Sequence, residues 1–352
     1  MEEEDEMTKL PLIIPAIVML AACGSNQSGG GASASNQIRI VGSSTVYPFT
    51  TAVAEGFQRD HPGTSVIVES TGTGAGMKLF CAGAGGDTPD MTNASRQIKK
   101  SEYDSCAKNG VKQVIEVPIG IDGLTFIQNK NAPALNLTPK DIYAGLAANP
   151  FGKPNTAKTW HDVNPALPAQ KIHVMGPPPS SGTRDSLADL ILAKGCESDP
   201  AMKALKTSDE KKHRDLCTKI REDGAYVEAG ENDNLLVQKV GQDNDTLGVL
   251  GFSYLDENAD KVKAVTLSGV SPTEATIADL SYPGSRTLYV YVKGEHLGVK
   301  PKIKEFIAAY AKLWSKGGLL EKRGLVPFAA ADAGTATAQA AALTPLDGTN
   351  LK

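Results

Sequence analysis

Apolar residues along this chain alternate for a few positions, stop at a turn of glycine and hydroxyl residues, and then recur at helical spacing. Residues 38–41 (IRIV) alternate as a strand does. Residues 42–48 (GSSTVYP) follow, and Val53 and Phe57 then share one helix face, with Pro48 suited to a first turn. Residues 65–69 (SVIVE) repeat the pattern ahead of residues 70–80 (STGTGAGMKLF). Residues 171–175 (KIHVM) do so a third time. Gly176 and the prolines 177–179 end that strand, and Leu187, Leu190 and Ile191 recur as a helix beyond residues 180–186 (SSGTRDS).

The same reading covers the rest of the chain. Residues 114–127 (VIEVPIGIDGLTFI) read as two strand pieces broken at Pro118 and Gly120, a candidate crossing between domains. Thr138 caps a helix over 140–146, residues 160–167 are irregular, and 201–222 form a charged, amphipathic helical region. Asp233 or Asn234 caps another helix. Residues 246–254 (TLGVLGFSY) read as a buried strand and the return crossing. Strands at 262–267 and 285–292 and an amphipathic helix at 301–314 follow, and the Ala-rich stretch 329–342 is helical or loose. Strands alternating with helices predict an α/β architecture.

Ahead of all this lies an apolar run of thirteen, residues 10–22, too short to span a bilayer and suited to the core of a signal peptide. It ends in Leu20-Ala21-Ala22-Cys23, which resembles a bacterial lipobox with lipid on the Cys23 thiol. The acidic residues 1–6 depart from a positive n-region, and Met7-Thr8-Lys9 is a more normal start. Residues 24–37 have the composition of a flexible tether.

Charge changes the picture little. The chain has a formal charge of −4, but five acids and one base fall in residues 1–22, leaving 35 of each sign beyond. That balance gives no bulk electrostatic case for nucleic acid or an anionic membrane. Five scattered His and no Cys-x-x-Cys argue against a transition-metal site. With Cys23 set aside, Cys81, Cys106, Cys196 and Cys217 form an even set that an oxidising compartment should pair. Three connectivities are open; the local one, Cys81–Cys106 and Cys196–Cys217, is expected.

The candidate chemistry sits at the helix starts near 43–45, 71–74 and 181–183. Each is an ordinary N-cap taken alone. Three together offer backbone N–H groups, hydroxyls and helix dipoles that could converge on one tetrahedral oxyanion. Residues 70–80 are no nucleotide loop: Lys78 lies between Met77 and Leu79, and one residue separates Gly74 from Gly76. A serine hydrolase or an exported phosphatase is the alternative from another class. Against it, no Gly-x-Ser-x-Gly occurs and no His stands beside the candidate serines.

The motifs in combination resemble the phosphate-binding proteins of the bacterial phosphate ABC transporter, the PstS family. They are GSSTVYP at 42–48, ESTGTGAGMK at 69–78, ASR at 94–96, IDGLTF at 121–126, SSGTRD at 180–185, GVLGFSY at 248–254 and YPGSRTLYVYVKG at 282–294. The resemblance implies a two-lobed periplasmic-binding-protein clamp, each lobe a sheet flanked by helices, with two strand crossings at a hinge. It implies a signal peptide at 1–22, a tether at 23–37, lobe 1 at 38–117 plus 255–330, lobe 2 at 118–254 and a tail at 331–352. Phosphate would be held by Ser44, Thr45, Val46, Thr73, Gly74, Ser95, Arg96, Asp122, Ser181, Gly182, Thr183, Arg184 and Asp185. One branch of the family carries Asp where this chain has Arg96, and Arg and Asp where it has Pro177 and Pro179. Arg96 and Arg184 are then expected to supply positive charge, and Asp122 or Asp185 to accept the ligand proton. The resemblance implies no catalytic residue, metal or cofactor, and no nucleic-acid partner. It implies a monomer in the periplasm or at the cell surface, touching the membrane only through lipid on Cys23 and docking on permease subunits. The same clamp tuned to sulfate or molybdate is a further alternative.

Overall fold

Strand, turn and helix alternate from the outset in the computed structural model, which describes residues 36–230 and 232–351. The signal peptide, most of the tether and Cys23 lie outside the described residues. The first half runs β1 (Gln37–Gly42), α1 (Tyr47–Asp60), β2 (Ser65–Ser70), α2 (Thr73–Phe80), β3 (Met91–Ala94) and α3 (Lys100–Lys108). Ile38 and Ile40 of β1 bury beneath Phe49, Val53 and Phe57 of α1, the face that the 3.6-residue period marks out.

Next comes β4 (Val114–Asn129), which is one continuous strand of sixteen residues rather than two pieces. A register shift between Leu288 and Tyr289 of the neighbouring strand sets them against Gly120 and Pro118. A bulge therefore absorbs the break signals instead of ending the strand.

Beyond it lie β5 (Asn136–Leu137), α4 (Pro139–Leu146), α5 (Trp160–Val163), β6 (Val174–Gly176), α6 (Gly182–Ser186), α7 (Ala193–Cys196), α8 (Pro200–Ser208) and α9 (Glu210–Cys217). The chain goes on through β7 (Tyr226–Glu228), α10 (Asp233–Val240), β8 (Leu247–Gly251), α11 (Phe252–Glu257), β9 (Val262–Ala264), β10 (Thr266–Leu267), α12 (Glu274–Ala278), β11 (Ser285–Lys293), α13 (Lys302–Leu313) and α14 (Ala330–Ala342). Thr138 caps α4 as its sequence predicts. The stretch read as irregular holds α5, capped by Thr159, and Asn232 rather than Asp233 or Asn234 caps α10. The Ala-rich stretch is helical, with Ala336 and Ala340 buried.

The order β2-β1-β3-β11-β4-β8-β6-β7 makes a nine-stranded sheet, with β9 also paired to β4. Residues 114–123 of β4 pair with β11, while residues 124–129 pair with β8 and β9. β4 thus belongs to both halves, each half an α/β layer with its own apolar clusters. The return passage differs from the sequence reading. β8 pairs only within the second half, with β4 and β6, and the chain regains the first half along β11. Residues 255–282, expected with the first lobe, pack on the second half: Leu255 and Val262 against Val240, and Ile277 and Tyr282 around Leu124.

Cys81–Cys106 and Cys196–Cys217 are bonded, the local pairing, one on each half. No helix among the described residues is long and apolar enough to cross a membrane.

Candidate functional site

Three loops at the carboxyl ends of strands gather where β4 passes from one half to the other. After β1, Ser43 donates its N–H to Asn93 O at 2.9 Å, which ties the 43–46 turn to the end of β3. Val46 is the N-cap of α1 and no side chain caps that helix. After β2, Thr71 and Gly72 both donate to Gly42 O at 2.9 Å. Gly76 of α2 packs on Gly42 so closely that a Cβ there would stand 2.4 Å from the Gly42 Cα. Thr73 Oγ1 lies 3.0 Å from Ser95 Oγ and accepts from Ser95 N at 3.1 Å, which joins the second and third loops. Gly74 is exposed at the start of α2.

The second half contributes the start of α6. Ser181 is the N-cap, its Oγ accepting from Thr183 N at 3.2 Å, and the helix runs on through a π-wound segment (Leu187–Leu192) into α7. This start sits against the 44–45 backbone: a Cβ on Gly182 would lie 2.5 Å from Thr45 Cα and N. Only a glycine permits that approach. Thr45 Oγ1 donates to Gly182 O at 3.0 Å, and Ser44 Oγ donates to Asp185 Oδ2 at 2.5 Å.

At the centre stands Arg286 of β11, which the sequence reading did not select. Its Nη2 donates to Thr45 Oγ1 at 3.0 Å and to Ser186 Oγ, its Nε donates to Asp122 Oδ2 at 3.2 Å, and its Nη1 lies 3.5 Å from Asp189 Oδ2. One buried guanidinium therefore touches the first-half loop, the crossing strand and the second-half helix. Ser186 Oγ in turn donates to Asp122 Oδ2 at 2.7 Å. A signal for Arg286 does exist: it is a charge at the start of a strand whose following residues alternate and are mostly apolar, inside a motif already tied to the family resemblance.

Arg96 and Arg184, expected as the charge carriers, are engaged elsewhere. Both Nη atoms of Arg96 bind the Glu102 carboxylate, at 2.9 and 2.8 Å. Burial works against its charge, but Glu102 more than offsets that and holds the guanidinium pKa up. Arg184 Nη1 donates to Pro177 O at 3.1 Å, and its guanidinium lies 4.5 Å over the Tyr226 ring, whose hydroxyl also donates to Pro177 O. This pair fixes the proline loop that leads into α6.

The two candidate acceptors differ. Asp122 is matched by Arg286 and Ser186. Burial raises the Asp185 pKa above the usual carboxylate value; the Ser44 hydrogen bond opposes this, nearby Asp189 adds to it, and Arg286 opposes it. The arrangement can hold a small anion with donors from both halves. Among the described residues no group of His, Cys, Asp and Glu is set to hold a metal ion.

Comparison with known proteins bears on the family and the fold. A family model described as a PBP superfamily domain matches residues 28–311. Protein SphX of Synechococcus elongatus is 34% identical over 298 residues, covering 82% of this chain and 77% of its own. The phosphate-binding protein PstS of Staphylococcus saprophyticus is 30% identical over 322 residues, covering 89% and 87%. A solved structure described as a possible phosphate binding protein from Planctomyces limnophilus superposes with a TM-score of 0.70 at 31% identity, over 87% of this chain and 98% of that one.

Proposed function

The chain belongs to the PBP superfamily and, within it, to the family of SphX and the phosphate-binding PstS proteins, and on that footing we propose that it takes up inorganic phosphate between its two halves and delivers it to the permease of an ABC transporter. The observation that carries the reading is the Arg286 junction, where one buried cation donates to a hydroxyl from each half, Thr45 and Ser186, and to the Asp122 carboxylate. The halves act as lobes of a clamp, and phosphate lies where they meet. The lobes divide near Gly123 and Ser285, where β4 leaves β11 for β8 and where the chain enters β11 from the second half.

In this reading the ligand takes donors from Ser44, Thr45 and Val46 on one lobe and from Ser181, Gly182 and Thr183 on the other. Thr73, Gly74 and Ser95 close the side of the site. Arg286 supplies the charge, while Arg96 and Arg184 brace the walls. Asp185 accepts the proton of hydrogen phosphate. Sulfate carries no such proton, so the carboxylate that holds phosphate repels it.

The chain works as a monomeric receptor and not as an enzyme, held at the outer face of the membrane by lipid on Cys23. Filter binding of radiolabelled phosphate to the stripped full chain, with sulfate and molybdate as competitors, tests the binding. Release of phosphate from a chromogenic ester would instead favour the hydrolase reading.

A further inference from the structure

The two halves also meet away from the anion-binding loops. Lys99, just ahead of α3 on the first half, reaches Glu210, the first residue of α9 on the second, Nζ to Oε1 at 3.4 Å. Glu210 is displayed on a fixed support. The Cys196–Cys217 bond ties the end of α7 to the end of α9. Glu197 Oε1 accepts from Lys206 at 2.9 Å and lies 3.2 Å from His213 Nε2, and the Tyr143 hydroxyl donates to Leu216 O at 3.2 Å. Asp209 caps α9 by accepting from Lys212 N at 2.9 Å. The local field fits this contact: Lys99 above all, with Arg214 and Arg96 adding, holds the Glu210 carboxyl below its usual range.

We propose that Lys99 and Glu210 form a positioning pair, a charged latch from α3 to α9 that keeps the lobes together over bound phosphate and so slows its release. The proposal rests on the phosphate-clamp reading above. Neither residue touches the anion loops. Because they sit on opposite halves, any separation of the lobes lengthens the pair and returns both charges to water. Both side chains are largely exposed, so the latch is weak and salt-sensitive, a setting for a rate rather than a lock.

The test is stopped-flow phosphate release from the full chain, comparing wild type, Lys99→Glu, Glu210→Lys and the double reversal, each checked for native circular dichroism. At low salt each single reversal should speed release about five-fold with association unchanged, and the double reversal should return within about two-fold of wild type. At high salt the four rates should converge. Single variants that release at the wild-type rate, or a double reversal as fast as the singles, would overturn the latch while leaving the phosphate reading intact. A wild-type chain that takes up no phosphate would overturn that reading, and the latch's role in release with it.

Discussion

Arg286 of β11 and Asp122 of β4 stand opposite each other in the antiparallel ladder and pair Nε to Oδ2 at 3.2 Å. They do so at the last rungs that β4 makes with β11, beside Gly123, beyond which β4 turns to β8. The ion pair therefore marks the point where the chain passes between halves. Asp122 uses the same oxygen to hold Ser186, so a strand, the end of α6 and a guanidinium are fixed together.

Arg286→Ala should abolish measurable phosphate binding or weaken it at least about 100-fold, since breaking a buried pair strands its partner charge at a cost of about 3–5 kcal/mol. Arg286→Lys should recover only part of this, because a single ammonium cannot reach Thr45, Ser186 and Asp122 together. Calorimetric titration of both variants checks the order.

Asp185→Asn should lose discrimination more than affinity. The phosphate-over-sulfate ratio should fall by about ten-fold or more, as the repulsive element against sulfate is removed. The same change should stabilise the protein near neutral pH. The raised carboxyl pKa means that the fold favours the protonated form, so the wild type is relatively more stable at low pH and loses that contribution as pH rises through the folded value. Melting curves against pH for the two proteins should diverge in that direction.

Gly182→Ala tests the approach of the lobes. Its Cβ would meet the Thr45 backbone at 2.5 Å, so the loops must part or strain by about 1–3 kcal/mol. Phosphate affinity should fall at least about ten-fold, with a change in melting temperature far smaller than a core cavity produces.

Lys293 offers a test of the fold away from the site. It is wholly buried, donates to Gly83 O and Thr88 Oγ1, and has its pKa pushed down by burial to about 8. Between that value and the ordinary lysine range the unfolded chain binds more protons than the folded one, so stability rises with pH there. The unfolding free energy of wild type minus Lys293→Met should climb from pH 8 towards pH 10, by at most about 1.4 kcal/mol per pH unit.

The helix starts at 43–46, 71–74 and 181–183 are legible in the sequence because each depends on local signals: an alternating run, a turn and a 3.6-residue face. The local disulfides are legible for the same reason. Arg286 is harder to see, because its partners Thr45, Asp122 and Ser186 lie up to 241 residues away and no local period announces them. The lobe membership of 255–282 is equally hidden. Whether β8 or β11 carries the chain back depends on which strand pairs with the first half of β4, and both read as good buried strands. The charge at the start of β11 is a readable clue, while the engagement of Arg96 by Glu102 and of Arg184 by Pro177 depends on contacts that no local pattern shows.

In the proposed clamp one phosphate is held between the two halves through the Arg286 junction. Isothermal titration of the stripped full chain with phosphate and then with sulfate tests it most directly. One-to-one phosphate binding with little sulfate heat is expected, with loss of the phosphate signal in Arg286→Ala. Equal heats for both anions, or phosphate binding untouched by that substitution, would contradict it.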